Sequence, residues 1–214
     1  MIAPLVELLS ALVLTSALAA APIPPASPAE ALARRVEQRQ RAAIDLTARF
    51  VQTYRSGLIG REVKERGLLW LKRPGRMLWE YRQPEKKTFV ADGKSFYFYI
   101  PAERQVIIRK QAGEKSIPAL LLSGQSDLVS EFAVTLESAP AGLQRLKLVP
   151  RKADAEVESV LVDVDATDRI RAIAVTDTQG NHTRFEFDEI RENLGLKDRL
   201  FQFRIPPGVE VVSG

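Results

Sequence analysis

Asp163, Asp165 and Asp168 are the residues whose type and spacing come closest to a catalytic or metal-binding cluster. Grouped carboxylates can act as a general acid and base, or they can hold a hard cation such as calcium. The run that contains them, VDVDATD, lacks the glycine and the terminal glutamate of a calcium-binding loop. An Asp-x-Asp pair at strand spacing before a turn is more typical of a solvated surface, and the sequence predicts no metal site here.

Histidine and cysteine chemistry is almost absent from the chain. His182 is the only histidine, it lies at a strand start after a turn, and there is no cysteine. Disulfides, thiolate metal sites and a cysteine nucleophile are excluded, and a Ser-His-Asp relay is not favoured. We therefore predict no catalytic residue, no metal and no cofactor. A hydrolase stays open as an alternative that a screen with ester substrates would test.

The charge is unevenly distributed along the chain. Between residues 49 and 110 there are 15 Lys and Arg against 6 Asp and Glu, whereas residues 111–214 carry 12 against 17. This asymmetry predicts one basic and one acidic surface, which suits an acidic partner or lipid headgroups. No nucleic-acid partner is expected, because the basic residues are spread through strands and match no recognisable binding module.

The N-terminus has the pattern of a secretory signal peptide. Residues 8–19, LLSALVLTSALA, are apolar but too short to span a bilayer comfortably, and small residues that fit an A-x-A cleavage site follow them. The region before this run has no Lys or Arg, which is unusual for a signal, and an uncleaved anchor is the alternative. We predict a signal peptide at 1–21, a Pro-rich linker at 22–28 and one domain at 29–214.

The rest of the chain is patterned mainly as strands. Apolar spacing predicts one amphipathic helix over residues 29–40, and from Ile44 onward the hydrophobic period becomes two. Asp92-Gly93 and the run 177–181 are hairpin turn signals. Short helices are expected between 116 and 132, where they could form a plug or lid. Eleven strands are predicted after the stretch that begins at Ile44: 62–72, 76–83, 87–91, 95–100, 104–110, 131–138, 143–150, 157–165, 169–177, 182–190 and 200–205.

The stretch LLWLKRPGRMLWEY, residues 68–81, raises the question of what covers its apolar side chains. Leu69 and Trp70 point to opposite faces of one strand, so both faces are apolar, unlike a sheet with one face in water. A closed sandwich would bury both faces. The alternative is an open, curved sheet whose concave apolar side is capped by the helices of 116–132 and accepts a flexible aliphatic ligand.

Several motifs together resemble one known family. They are Gly67-x-Leu69-x-Leu71-Lys72-Arg73-Pro74-x3-Leu78-Trp79-x-Tyr81-x2-Pro84, Val90-Ala91-Asp92-Gly93-Lys94 followed by Phe98-Tyr99-x-Pro101, Pro118-x-Leu120-Leu121, and Phe203-x-Ile205-Pro206-x-Gly208-Val209-x-Val211, with Phe50-x-Gln52 upstream. In this order they resemble the periplasmic outer-membrane lipoprotein carrier family, LolA. The similarity covers nearly the whole chain after the predicted signal.

The resemblance implies a mainly β fold with short α elements. It would be an unclosed antiparallel half-barrel of about 11 strands, with helices covering the concave apolar face. The family's arginine before proline holds the lid by hydrogen bonds, and Arg73 with Pro74 matches it. An aromatic residue is common in the family where this chain has Met77. The acyl-chain cavity is expected to be lined by Phe50, Leu69, Trp70, Met77, Trp79, Phe89, Phe98, Leu120, Leu121 and Leu122.

The implied function is that of a periplasmic chaperone that carries lipoproteins from the inner to the outer membrane. The expected partners are triacylated lipoproteins as cargo, an inner-membrane ABC transporter that loads them and an outer-membrane acceptor lipoprotein, with the carrier itself a monomer. Arg76, Lys86 and Lys87 are the candidate docking residues. The alternative is another lipid-binding protein on the same half-barrel, such as a glycolipid carrier or a soluble regulator that senses mislocalised lipoproteins.

Overall fold

A computed structural model describes residues 26–110, 116–154 and 156–213. The predicted signal peptide lies outside these residues. Helix α1 spans Pro28–Ala42, α2 spans Ile117–Ser123 and α3 spans Leu128–Glu131, and there are 3-10 helices at Pro101–Glu103 and Asp198–Phe201. No helix within the described part of the chain is long and apolar enough to span a membrane.

Twelve strands form one sheet in the described residues. Their bounds are β1 Asp45–Arg55, β2 Glu62–Lys72, β3 Arg76–Gln83, β4 Lys87–Asp92, β5 Ser95–Ile100, β6 Gln105–Lys110, β7 Phe132–Glu137, β8 Gln144–Pro150, β9 Val157–Val164, β10 Ile170–Asp177, β11 His182–Glu192 and β12 Glu210–Ser213. The order is β12-β6-β5-β4-β3-β2-β1-β11-β10-β9-β8-β7, and neighbours run antiparallel except for the parallel pair β12–β6. The sheet is unclosed, with β12 and β7 as its edges, which confirms the predicted fold class.

Helix α1 begins one residue before the predicted start. The Ser27 hydroxyl accepts a hydrogen bond from the Glu30 backbone N–H at 3.2 Å, and the Glu30 carboxylate accepts one from the Ser27 N–H at 3.0 Å. This reciprocal capping box satisfies two amides that the helix leaves unpaired, and Pro28 fits the first turn because it has no N–H. The inner side of α1 buries Leu32, Ala33 and Val36 against the sheet.

One predicted strand was wrong. Apolar and polar side chains alternate along residues 200–205 as they would in a strand. The chain instead forms a 3-10 helix at Asp198–Phe201, which packs on one face of β3 and β4, and then an irregular segment. Phe201 is fully buried, and Phe203 stacks on Tyr97 with ring centroids 5.4 Å apart. The alternation therefore reflects packing of this segment across the outer face, and the last strand forms only at β12.

The C-terminal segment on the second face of the sheet explains in part why strands of this region carry apolar side chains on both faces. The face that α1 and α2 cover, called the concave face below, holds the large core cluster, which includes Leu69, Leu71 and Trp79. Val90 and Val106 are buried outside that cluster, on the face that the C-terminal segment crosses. The α-helices therefore cover one face of the sheet, and the C-terminal segment with its 3-10 helix packs on the other face of β3 and β4.

Candidate functional site

The concave face carries a wall of aromatic rings contributed by separate strands. Phe50 of β1 lies 5.0 Å from Trp79 and 4.9 Å from Tyr81 of β3, centroid to centroid, in edge-to-face geometry. Trp79 continues the wall to Phe185 of β11 at 5.4 Å. Such ring pairs are favourable beyond the area they bury, so the wall is a stable surface that remains wholly apolar in its middle.

Gly67 makes room for this wall. A β-carbon built on Gly67 would lie 2.1 Å from the Glu80 carbonyl oxygen and 2.7 Å from the Phe50 ring. The register confirms the approach, because Gly67 of β2 sits opposite Phe50 on one side and Tyr81 on the other. Only glycine allows the ring to lie flat across this strand.

The edge of the wall ends in polar side chains. The Tyr81 hydroxyl donates to Gln52 Oε1 at 2.7 Å, and burial, with the nearby Glu65 carboxylate, raises the pKa of Tyr81 well above its usual value. Lys87 pairs with Glu65 at 2.5 Å and places its ammonium 4.9 Å from the centre of the Tyr81 ring. The apolar surface is therefore bounded on this side by a fixed polar group.

Helix α2 covers the wall and is held there by Arg73. The guanidinium donates to the carbonyl oxygens of Leu122 at 2.6 Å and Ser123 at 2.8 Å, two groups that the end of a helix leaves unpaired. It also donates to the Gln40 side chain at 3.1 Å and to the Ala43 carbonyl. One side chain from the turn after β2 thus ties the ends of α1 and α2 together, and α2 is called the lid helix below.

Burial has an electrostatic cost for Arg73. It lowers the pKa of Arg73 to about 10, and the Glu192 carboxylate opposes this shift only in part. A buried charged group is tolerated when its hydrogen-bond donors have partners, and the guanidinium of Arg73 has four acceptors. The Arg73–Pro74 peptide bond is cis.

The end of the lid helix has further supports. Gly124 ends the helix with φ of +68°, and a β-carbon there would lie 3.2 Å from the backbone of Gln40. Arg41 donates to the Gly124 and Ser126 carbonyls, each at 3.4 Å, and the Glu37 carboxylate accepts from the Leu128 N–H. These contacts join α1 to the loop between α2 and α3.

Little space is left beneath the lid helix. A cleft of about 90 Å³ lies between α2 and strands β3 to β5, and it is lined by Met77, Ala91, Phe96 and Leu120 among others. The space between Leu122 and Phe187 on the other side holds only about 10 Å³. The protein's own side chains fill most of the space between α2 and the sheet.

A wider mouth opens at one end of the concave face. It has a volume of about 450 Å³ and lies between the start of α2 at Ile117 and the apolar residues Val175 and Phe185, with the β10–β11 turn at its rim. The mouth thus connects solvent with the aromatic wall.

Most of the predicted cavity residues lie on the concave face. Phe50, Leu69, Met77, Trp79, Leu121 and Leu122 belong to the buried cluster, and Phe89 packs against it. Leu120 lines the cleft, and Phe98 lies opposite Phe89 across β4 and β5, which puts it on the same face.

Trp70 is the exception and requires a correction. It alternates with the buried Leu69 and Leu71, is only half-buried, and does not belong to the concave cluster. Because side chains alternate along a strand, Trp70 lies on the outer face, and the expectation that it lines the cavity is wrong.

The predicted docking residues differ in how they are engaged. Arg76 lies 3.8 Å from Asp198, and Lys87 pairs with Glu65. Lys86 is exposed in the turn before β4.

The aspartate cluster is structural. Asp163 is fully buried and bonded to Arg145 at 2.6 Å and Arg184 at 3.0 Å; burial opposes ionisation, yet these arginines hold the pKa of Asp163 below its usual value. Asp165 accepts from the Thr167 and Arg169 backbones, and the described residues contain no group of carboxylates and histidines arranged to hold a metal. The imidazole of His182 lies 3.0 Å from the hydroxyl of Thr176 on the neighbouring strand.

Sequence reasoning missed several polar residues of the site. Gln40 and the Ala43 carbonyl complete the Arg73 hub, and the buried Asp45 accepts from the backbones of Leu194 at 2.6 Å and Leu196 at 2.9 Å. Their partners are up to 151 residues away in the chain, so no local pattern could have indicated them.

Comparisons with known proteins agree with this geometry. The family model described as "Outer membrane lipoprotein carrier protein LolA" matches residues 41–204. The outer-membrane lipoprotein carrier protein of Methylococcus capsulatus is 32% identical over 147 residues, covering 68% of this chain and 70% of its own. That of Hahella chejuensis is 34% identical over 172 residues, covering 78% and 80%. A conserved protein of Thermus thermophilus shares the fold, with a TM-score of 0.56 and 17% identity over 88% of this chain and 100% of its own.

Proposed function

This chain belongs to the outer membrane lipoprotein carrier protein (LolA) family, and we propose that it carries lipoproteins by taking up their acyl chains beneath the lid helix. Its function is that of an outer-membrane lipoprotein carrier, its cargo is lipoprotein, and carriers of this family are periplasmic transporters without enzymatic activity.

The observation that carries the uptake proposal is the Arg73 hub over an apolar wall. The lid helix contributes Leu121 and Leu122 to the buried cluster, and the last carbonyl groups of the helix are held mainly by the side chain of Arg73. A helix held in this way can leave as one unit, and it would expose Trp79 and its neighbours to a ligand of similar shape. Acyl chains then replace leucine side chains on the same wall.

The energies make such an exchange reasonable. Three long acyl chains bury roughly forty methylenes, worth on the order of 30 kcal/mol, so unaided escape from a membrane into water is too slow to matter. A rigid empty cavity would bind this surface too tightly to release it. Because the lid helix occupies the hollow when the carrier is empty, the cargo must displace protein contacts, and its net affinity is lower.

The proposed partners follow from this scheme. The cargo is triacylated, an inner-membrane ABC transporter supplies the loading energy, and an outer-membrane acceptor lipoprotein receives the cargo. The chain enters the periplasm through a signal at residues 1–21, which a linker at 22–28 joins to the carrier domain at 29–214, and it works as a monomer.

The proposed docking residues lie at the two ends of β3: Arg76 begins the strand next to the turn that holds Arg73, whereas Lys86 and Lys87 lie at its far end. Arg76 and Lys87 are held in ion pairs at 3.8 and 2.5 Å, and an acidic partner would compete with Asp198 and Glu65 for them. Lys86, exposed in the turn next to Lys87, adds a further positive charge at that end of the strand.

A release assay tests the proposal. Tagged lipoproteins are retained on spheroplasts, the protein isolated from a periplasmic extract is added, and the supernatant is examined for a soluble one-to-one complex. We expect such a complex, with the acyl chains protected from lipase. Lipoprotein that stays on the spheroplasts in the presence of folded protein would contradict the proposal.

A further inference from the structure

The hairpin between β1 and β2 ends in an exposed apolar tip. Leu58 is 92% exposed and Ile59 is 70% exposed, more than any other large apolar side chain in the described residues. The two are adjacent in the turn Ser56–Arg61, which projects beyond the paired ends of β1 and β2 at Arg55 and Glu62. This turn is called the tip loop below.

Three amides of the tip loop, those of Ser56, Ile59 and Gly60, are paired within the loop. The Ser56 N–H donates to the Arg61 carbonyl at 3.0 Å, and the Gly60 N–H donates to the Ser56 carbonyl at 2.9 Å. The Ile59 N–H donates to the Ser56 hydroxyl at 3.5 Å. Each amide that is paired lowers the free-energy cost of moving the turn into an apolar medium, because an unpaired amide would lose its bond to water.

The tip loop is fixed beside the mouth of the hollow. The Gly57 N–H donates to Asn181 Oδ1 at 3.1 Å, and a β-carbon on Gly57 would lie 2.3 Å from the Gly180 carbonyl oxygen. Gly180 and Asn181 belong to the β10–β11 turn, and Asp177 and Gln179 of the same turn line the mouth. The apolar tip and the mouth therefore lie at the same end of the molecule.

The surrounding charges favour a lipid surface as the occupant. Arg55, Arg61 and Lys64 are exposed on the hairpin around the tip loop, together with the acidic Glu62, which lies 3.8 Å from Lys64; the carboxylates of Glu156 and Asp177 line the neighbouring mouth. Two aliphatic side chains on a narrow projection form too small a patch for a standard protein interface of about 800 Å² per partner. Aliphatic residues with basic neighbours are the pattern of interfacial membrane binding.

We propose that the tip loop inserts Leu58 and Ile59 into an anionic phospholipid bilayer and so places the mouth of the hollow at the membrane surface for delivery of the acyl chains. This inference rests on the proposed carrier function and extends it, because the carrier would then contact the receiving membrane itself. The acyl chains would pass from the mouth into lipid over a short path.

Vesicle flotation tests the contact. The periplasmic form is mixed with vesicles of phosphatidylethanolamine and phosphatidylglycerol, and a Leu58→Ser, Ile59→Ser variant is compared with it. The matched control is Leu136→Ser, Leu194→Ser, two leucines that are 45% and 50% exposed elsewhere. We expect the tip variant to lose about tenfold or more in partitioning and the control to match the wild type. Binding to neutral phosphatidylcholine vesicles should be weaker for all three.

Separate measurements distinguish failure of this inference from failure of the carrier function. Uptake from spheroplasts should be equal in the three proteins, while transfer into acceptor-free vesicles should fall only in the tip variant. Equal flotation of wild type and tip variant would overturn the inference, as would wild-type binding that requires a membrane protein in the vesicles. Absence of uptake in all three would refute the carrier function, while flotation would still report on the tip loop.

Discussion

Replacing Arg73 with leucine should release the lid helix while leaving the sheet intact. The guanidinium of Arg73 reaches the Leu122 and Ser123 carbonyls on α2 and the Gln40 and Ala43 oxygens at the end of α1. Leucine keeps much of the side-chain volume but makes none of these four contacts. The end of α2 would then be held only by its apolar side chains and by the contacts around Gly124.

The size of the effect follows from the number of bonds and from what replaces them. Hydrogen bonds to a charged group contribute about 1.5–3 kcal/mol each, so four of them set an upper limit of about 6–12 kcal/mol. Water takes over the carbonyls once the lid lifts, and the cost of burying the charge, evident in the lowered pKa of Arg73, is recovered. We therefore expect the closed form to lose about 3 kcal/mol, roughly a hundredfold shift toward the open form.

Two readouts follow from that shift. Hydrogen exchange of the α2 amides should accelerate by about a hundredfold in Arg73→Leu, and an acyl-chain probe should bind more tightly because it no longer competes with a fixed lid. The loaded variant should give up its cargo slowly, for the same reason. Arg73→Lys should be intermediate, since one ammonium cannot replace a planar fork of donors.

The control is Arg49→Leu. Arg49 is an exposed arginine of β1 that forms an ion pair with Glu189 at 2.6 Å. Exposed pairs contribute about 0–1 kcal/mol, so exchange in α2 should not change. Unaltered protection of the α2 amides in Arg73→Leu, or weaker binding of the probe, would refute the idea that Arg73 holds the lid closed.

Three further predictions concern the sheet and the cleft. Asp163→Asn should lower the free energy of unfolding by about 2–3 kcal/mol at pH 7. The pKa of Asp163 is lower in the folded than in the unfolded protein, so this stabilisation is present above the unfolded-state pKa and is lost as the pH falls through the folded-state pKa. The urea midpoints of wild type and variant should therefore converge in acid. Gly67→Ala should lower the free energy of unfolding by more than about 2 kcal/mol, because the new β-carbon would overlap its neighbours. Gly142→Ala is the control and should cost about 1 kcal/mol, because its β-carbon has free space and only the backbone at φ +78° is strained. Equal losses of stability in the two variants would contradict the close contact at Gly67. Leu122→Ala should lose about 2–4 kcal/mol in urea, whereas Leu120→Ser should mainly weaken acyl-probe binding in a fluorescence titration.

Hydrophobic alternation in the sequence predicted most of the fold. The period of two placed the strands within a few residues, and Asp92-Gly93 marked a hairpin in which Asp92 accepts from the Lys94 and Ser95 amides, each at 2.8 Å. The wrongly predicted strand arose because alternating apolar side chains occur both in paired strands and in segments that pack on a sheet. Residues 200–205 alternate because they pack across a sheet, not because they pair within one.

The site was less predictable than the fold, because local sequence patterns do not show which elements pack on which face of the sheet. Alternation separates Leu69 from Trp70 but does not tell which face the helices cover, and Trp70 was assigned to the wrong one. The resemblance to the family singled out Arg73, yet its acceptors at Gln40 and Ala43 depend on how α1 ends and where the chain folds back. Contacts of this kind are set by tertiary packing.

Photocrosslinking shows whether a bound acyl chain lies beneath the lid helix. A lipoprotein with a diazirine near the end of an acyl chain is loaded onto the carrier, irradiated, and the attachment sites are mapped by mass spectrometry. We expect attachment on the concave wall and the lid helix, at Met77, Phe96 and Leu120 around the cleft. Attachment confined to the outer face around Trp70, with the α2 amides as protected as in the empty protein, would contradict it.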